Sequence, residues 1–364
     1  MKAVILCADK KEELFPFTET RPTGLLPVAG IEATGRLIRS LEVAGVDEIF
    51  IVANHLEEEY RSEYSDEEDI NVVRQDEVDG TGNAVLECDF LDDDFFVLNG
   101  DVVVSEEDLV SLRKTHLNRQ PEVSVLATGS DRPEKFGVLS ITDDEIDAIE
   151  ESPEQAENAL INTGAYIFKP TIFDRIREVE GEKITDAFEP VIEDGKAIYE
   201  LSDGYWMEID SLRNFWRADR LKREEKVSGR VHQGADVSDG AELIGEVRVQ
   251  EGAVVESGAR IEGPTVIGEN SVIGAGSVVR SSSIGDESQI RSATVEKSVL
   301  FEGNIVDPHV HVERSVLGEM VEVKAGSVVE ESFIGPESLV NINNSVRGTK
   351  FVPGARTDLG EISK

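Results

Sequence analysis

Short apolar runs alternate with amphipathic stretches over the first 225 or so residues. Lys2 to Ala8, Glu48 to Ala53, Asn71 to Val73, Phe95 to Leu98 and Val123 to Ala127 are near-continuous apolar segments, the pattern of strands buried on both faces. Between them, Thr34 to Ala44 sets Leu37, Ile38, Leu41 and Ala44 on one helical face, and Gly45 ends that helix. Ser105, followed by Glu106, Glu107 and Asp108, is an N-cap signature for a helix running to about His116. Strands alternating with helices predict a Rossmann-like α/β domain over 1–226, with a mostly parallel sheet and ligands beyond the carboxyl ends of its strands.

After about Glu225 the period changes to six. Val231, Val237, Leu243, Val249, Val255 and Ile261 lead the series. A small frame shift follows, and the series resumes at Val266, Val272, Val278, Ile284 and Ile290. It slips again around 295–312 and returns at Val328, Ile334, Val340, Val346 and Val352. One inward aliphatic per six residues, with Gly and Ser between, predicts a parallel β-helix over 227–352, in about seven three-sided coils. Residues 353–364 leave the frame and read as an extended tail.

Composition narrows the setting. Asp and Glu total 75 against 36 Lys and Arg, a net charge of −39. This argues against nucleic-acid and anionic-membrane partners, which are gripped by cations. The 39% of hydrophobic residues argues against disorder. Acidic runs at Glu57 to Glu59, Asp66 to Asp69 and Asp92 to Asp94 suit solvated faces in concentrated salt, where like charges are screened. The expectation is a cytoplasmic protein of a salt-accumulating halophile. Cys7 and Cys88 are too few for a disulfide framework and read as two buried thiols. No apolar run reaches the roughly 18 residues of a membrane helix, and Ala3 to Ala8 meets charge too early for a signal peptide.

The segment Ile5 to Val28, ILCADKKEELFPFTETRPTGLLPV, resembles the opening LAAGxGTRLxPLTxxxPKPLLPV of the sugar-1-phosphate nucleotidyltransferases. The resemblance continues at Gln75 and Gly80-Thr81-Gly82-Asn83-Ala84, at Leu98-Asn99-Gly100-Asp101 and at Phe136-Gly137-Val138. It runs on through Glu151-Ser152-Pro153, Leu160-Ile161-Asn162-Thr163-Gly164 and Trp206-Met207-Glu208-Ile209-Asp210. It implies a left-handed form for the β-helix that follows, and transfer of a nucleotidyl group from a nucleoside triphosphate to a sugar 1-phosphate with Mg²⁺ and release of pyrophosphate. By the same resemblance Asp101 and Glu208 are the catalytic and Mg²⁺-binding carboxylates. Leu6, Ala8, Gln75, Gly80 and Thr81 face the nucleotide, and Gly137, Glu151, Asn162 and Thr163 face the sugar.

The phosphate-binding positions depart from the family. Its two loop glycines are Asp9 and Lys11, its Thr is Glu12, its catalytic Arg is Glu13 and the Lys of PKP is Thr23. Ser152 replaces the Lys of EKP, Glu208 the Asp of WxDxG, and Asp210 its Gly. Exchanging Arg for Glu swings the interaction by about 6 kcal/mol per phosphate charge at ~5 Å and an effective dielectric of ~20. Glu13 and Thr23 are therefore not expected to do the family's work; Lys10, Lys11 and Arg21 are the remaining local cations. Three readings follow: a transferase with a remodelled loop, a pseudoenzyme that binds and regulates an active paralogue in a homo- or hetero-oligomer, and a β-helix that acts as scaffold or hexapeptide acyltransferase. For the last, His309 and His311 are the candidates, expected on the same face of one strand.

Overall fold

The computed structural model describes residues 1–155, 159–179, 182–225, 231–360 and 362–363, so the expected domain boundary at 226 lies outside the described residues. The chain forms two compact units: one of residues 1–10, 21–25 and 33–209, and one of residues 11–20, 26–32 and 210–364.

The first unit is built on a nine-stranded mixed sheet, in the order Ile70–Arg74, Glu48–Ala53, Lys2–Cys7, Phe95–Asn99, Leu160–Phe168, Val123–Gly129, Ala197–Leu201, Glu145–Glu151 and Gly137–Thr142. The first four run parallel, whereas Leu160–Phe168 is antiparallel to both its neighbours. The apolar run after Met1 serves both faces: Ala3, Ile5 and Cys7 join one core, and Val4 and Leu6 the other. The helix Ala33–Val43 buries Leu37, Ile38 and Leu41, and Gly45, at φ +83°, closes it as read from sequence. Ser105 Oγ accepts from Asp108 N at the start of the helix Glu106–Arg119. Both cysteines are buried and free, and burial pushes each thiol up to about 12.

That second helix carries a buried titratable ring. His116 Nδ1 lies 2.8 Å from Ser124 Oγ, and Nε2 lies 3.2 Å from Asp94. Burial lowers its pKa, with Asp94 pulling the other way and Lys169 adding a smaller depression. The folded state thus resists a proton that the unfolded chain accepts below about pH 6.5. Stability is retained above that point and lost as pH falls through it. His116→Gln is expected to flatten the decline between about pH 7 and about pH 5, by up to about 1.4 kcal/mol per pH unit. Urea unfolding of both proteins at the two pH values checks this, and equal declines would refute it.

The second unit contains a parallel β-helix with three sheets of seven, eight and seven strands. The sequence frame needs correcting. Ile267, Ile273, Val279 and Val329 are the fully buried inward residues, not Val266, Val272, Val278 and Val328. Each of those pairs is two adjacent aliphatics on one strand, and only alternate residues of a strand point inward, so periodicity alone could not choose between them. No frame shift occurs near Ile261. Neighbouring coils are in register at 18 residues through Leu243, Ile261 and Val279, then at 16 to Val295 and 17 to Val312. The slip at 295–312 is therefore the loss of single residues at corners. Val231 and Val352 are exposed, and Phe351 takes the inward place. Coiling also continues past 352: Arg356 bridges Leu339, and Ile362–Ser363 pairs with Ser345–Arg347, in place of an extended tail. His309 sits in a turn at φ +65°, whereas His311 is in the strand His311–Glu313, so the two do not share a strand.

Residues 11–20 and 26–32, far upstream in sequence, pack within this unit. Leu14 and Phe17 are fully buried; the Phe17 ring lies 5.1 Å from Phe301, which meets Phe215 at 5.8 Å. Thr20 Oγ1 donates to Glu319 at 2.7 Å. Gly30 adopts φ +75° with a methyl of Val266 where its Cβ would point, which explains why the outward Val266 is nonetheless buried.

Candidate functional site

Parallel strands bring their carboxyl ends to one edge of the sheet. Leu6 and Ala8 end Lys2–Cys7, Gln75 follows Ile70–Arg74, and Asp101 follows Phe95–Asn99. Because Leu160–Phe168 runs the opposite way, its first residues, including Asn162 and Thr163, reach the same edge. Pairing of Ile161 with Val138 and of Gly137 with Glu151 adds the last two sugar-pocket candidates. All the nucleotide, sugar and metal candidates read from sequence thus gather in the first unit at one edge.

Asp101 is held closely. Gly100 N donates to Leu6 O at 2.8 Å, and a Cβ on Gly100 would lie 2.2 Å from Cys7 Sγ, so only glycine lets the two strand ends approach. The strand Val102–Val104 pairs with Trp206–Glu208, placing Glu208 opposite Val102, and Asp101 O accepts from Ile209 N at 2.6 Å. Asp101 thus stands next to the strand residue paired with Glu208, and carboxylates are hard oxygen donors of the kind Mg²⁺ takes.

On the nucleotide side, Gln75 is buried and its Nε2 donates to Asp79 at 3.4 Å and to Gly80 O at 3.5 Å. Thr81 Oγ1 accepts from Ile184 N, and Gly82 N donates to Glu182 O, so this turn clasps 182–184. On the sugar side, Glu151 accepts from Lys183 Nζ and from Thr185 Oγ1, both at 3.0 Å. Asn162 donates to Tyr166 OH at 2.6 Å and accepts from Gly164 N. Burial raises the pKa of that phenol, keeping it neutral. Thr163 is spent on backbone, donating to Leu126 O while its own carbonyl accepts from Trp206 Nε1. Thr163 therefore shapes the site rather than offering a hydroxyl to it.

The departing positions divide by exposure. Asp9, in the first unit, and Glu12 and Glu13, in the second, are exposed. Thr23 is 6% exposed and its hydroxyl has no hydrogen-bond partner among the described residues, so the place of the family's Lys is closed. Asp210 is engaged by neighbouring side chains instead: its Oδ1 accepts from Ser211 Oγ and Asn214 Nδ2 just before the helix Leu212–Glu224, where negative charge is favourable. Lys183 was missed by sequence reasoning. It lies 32 residues from Glu151, and no local pattern ties it to the neighbouring Ser152 that replaces the family's Lys.

The nucleotidyl transferase family profile matches residues 2–225. The chain belongs to the sugar-1-phosphate nucleotidyltransferase family. A second nucleotidyltransferase-associated profile, the GMPPB C-terminal domain, matches residues 243–350. Among relatives of the chain, the bifunctional protein GlmU of Methanocaldococcus jannaschii is 33% identical over 70% of the chain and 61% of its own length. The chain thus spans about three fifths of that relative. The low-salt glycan biosynthesis nucleotidyltransferase Agl11 of Haloferax volcanii is 28% identical over 70% of the chain and 74% of its length. Mannose-1-phosphate guanylyltransferase of Mycobacterium tuberculosis is 30% identical over 69% and 75%. A Bacillus anthracis crystal structure, titled as a glucose-1-phosphate thymidylyltransferase in complex with a sucrose, superposes with a TM-score of 0.58 at 25% identity. It covers 62% of this chain and 96% of that one. Among the described residues no helix is long and apolar enough to cross a membrane.

Proposed function

We propose that this chain binds a nucleotide and a sugar phosphate at the sheet edge around Asp101 and Glu208, with nucleotidyl transfer weakened or lost, and serves as a regulatory subunit beside an active paralogue. The observation that carries this reading is the chemistry of the signature segment: exposed acids at Asp9, Glu12 and Glu13 and a closed, uncharged Thr23, where the family needs flexible glycines, an Arg and a Lys. Such a loop repels a triphosphate at the moment its charge builds. Asp101 and Glu208 would hold Mg²⁺, which when bound neutralises phosphate charge. Gln75 and the Gly80 turn would orient the base, and Glu151 and Asn162 the sugar hydroxyls.

A second reading, a transferase with a remodelled loop, is favoured by Lys183. Its ammonium lies 3.0 Å from Glu151, next in sequence to Ser152, and supplies a cation on the sugar side. One experiment separates the two. The full chain is incubated with Mg²⁺ in concentrated KCl with a panel of nucleoside triphosphates, sugar 1-phosphates and nucleotide sugars, following thermal midpoint and pyrophosphate release. The regulatory reading expects stabilisation by a nucleotide sugar without turnover; steady pyrophosphate release overturns it, and stabilisation by no member of the panel refutes both.

A further inference from the structure

We propose that His311, Glu313 and Glu330 form a binding site for a divalent transition-metal cation of the Zn²⁺ type on the outer face of the β-helix. One donor atom from each lies within 4.8 Å of the other two. His311 and Glu313 flank the fully buried Val312 on one strand and so project together outward, and Glu330 stands in register beside Glu313 on the next coil. His311 Nε2 is 3.5 Å from Glu313 Oε2. Two ligands bound to one tetrahedral Zn²⁺ at ordinary bond lengths are separated by about 3.4 Å, so this pair needs almost no rearrangement. Glu330 completes the set by a rotamer adjustment of a side chain that is 28% exposed.

Two features separate this group from an ordinary acidic surface. The first is the imidazole. A nitrogen donor beside two carboxylates suits Zn²⁺, Co²⁺ or Ni²⁺ and discriminates against Mg²⁺ and Ca²⁺, which favour oxygen alone. The second is the register. Glu296, Glu313 and Glu330 occupy the same outward position on three successive parallel strands, about 4.8 Å apart, an arrangement in which like charges repel. Arg280 meets Glu296 and Arg347 meets Glu330 from the two ends, and Arg314 reaches Glu313 Oε1 at 3.6 Å. A cation between Glu313 and Glu330 removes the central repulsion, and each carboxylate keeps its second oxygen for its arginine, which orients it. The strands beneath are pinned by Val312 and Val329, both fully buried, so the backbone that carries the three ligands is fixed and only side chains adjust when the metal arrives.

The test uses full-length protein treated with a chelator and returned to concentrated KCl with excess Mg²⁺, which occupies sites made of carboxylates alone. Co²⁺ is titrated and its visible ligand-field absorption followed; Zn²⁺ is then titrated by calorimetry. The expected result is one saturable equivalent per chain with a low-symmetry Co²⁺ spectrum. His311→Ala and Glu330→Gln should each weaken affinity by roughly tenfold or more, while His309→Ala leaves it unchanged. Circular dichroism in chelator shows whether each variant is folded, and Glu330→Gln carries the test if His311→Ala is not. Absence of a saturable equivalent, or equal affinity in the folded variants, overturns the proposal.

Discussion

Asp219→Ala is expected to destabilise the protein by about 3–5 kcal/mol, the scale on which removing one partner of a buried ion pair acts. Asp219 and Arg223 lie one helical turn apart at 2.7 Å, with side-chain exposures of 0% and 1%. The carboxylate does more than pair: its Oδ2 accepts from Ala29 N and from Ser283 Oγ, both at 2.7 Å. Truncation would leave three donors without an acceptor. Arg248 stands close enough that Asp219 favours its charge, while burial and Arg223 depress its pKa. Without Asp219 the like charges of Arg223 and Arg248 oppose each other, with Glu225 left as the carboxylate that favours Arg248. Denaturant unfolding of the variant checks the prediction. Asp219→Leu combined with Arg223→Met should recover more than half of the loss, because it removes the stranded charge rather than creating one. A loss below about 1 kcal/mol for Asp219→Ala would mean the pair is solvated in solution.

The second large effect is Gly80→Ala. Gly80 sits at φ +111°, where an L side chain is strained, and an added Cβ would lie 2.0 Å from Glu182 O and 2.6 Å from its carbonyl carbon. The obstacle is backbone, so the 182–184 segment must move. That motion would break the bonds from Gly82 N to Glu182 O and from Ile184 N to Thr81, and would draw Lys183 from Glu151. We expect a loss of about 3 kcal/mol or more, together with loss of any thermal stabilisation by nucleotide or nucleotide sugar. Gly195→Ala is the control for the left-handed backbone alone, since at φ +67° none of the described residues lies within 4 Å of its added Cβ. Equal effects of the two substitutions would show that the contact with Glu182 is unimportant.

Much of this was legible in sequence because the signals were local and periodic. Continuous apolar runs gave the parallel strands, and a six-residue period gave the β-helix, since each reports one geometric repeat. The errors arose where a repeat was right to within one residue. At Val266-Ile267 and Val278-Val279 both neighbours are aliphatic, and only the pleat decides which turns inward. Corner deletions then blurred the frame from 295 to 312. In the candidate site, ordered motifs located the sheet edge well, because each marks a strand end. They could not show that Thr163 is consumed by backbone, that Asp210 is taken up by the side chains of Ser211 and Asn214, or that Lys183 reaches Glu151 from 32 residues away. Those depend on contacts between distant segments, which no local pattern encodes.

The interleaving of the two units in sequence has a consequence for biosynthesis. Leu14 and Phe17 are fully buried, and neighbouring Thr20 bonds to Glu319, 299 residues downstream. At a translation rate of ~5–20 residues per second, the amino-terminal segment waits roughly 15 to 60 seconds on the ribosome before its covering surface emerges. For that interval two large apolar side chains stand exposed beside a stretch rich in acids, Glu12, Glu13 and Glu19 among them. Charges flanking an uncovered apolar segment discourage nascent chains from associating with one another. The acids of this segment thus act as gatekeepers while the protein is being made.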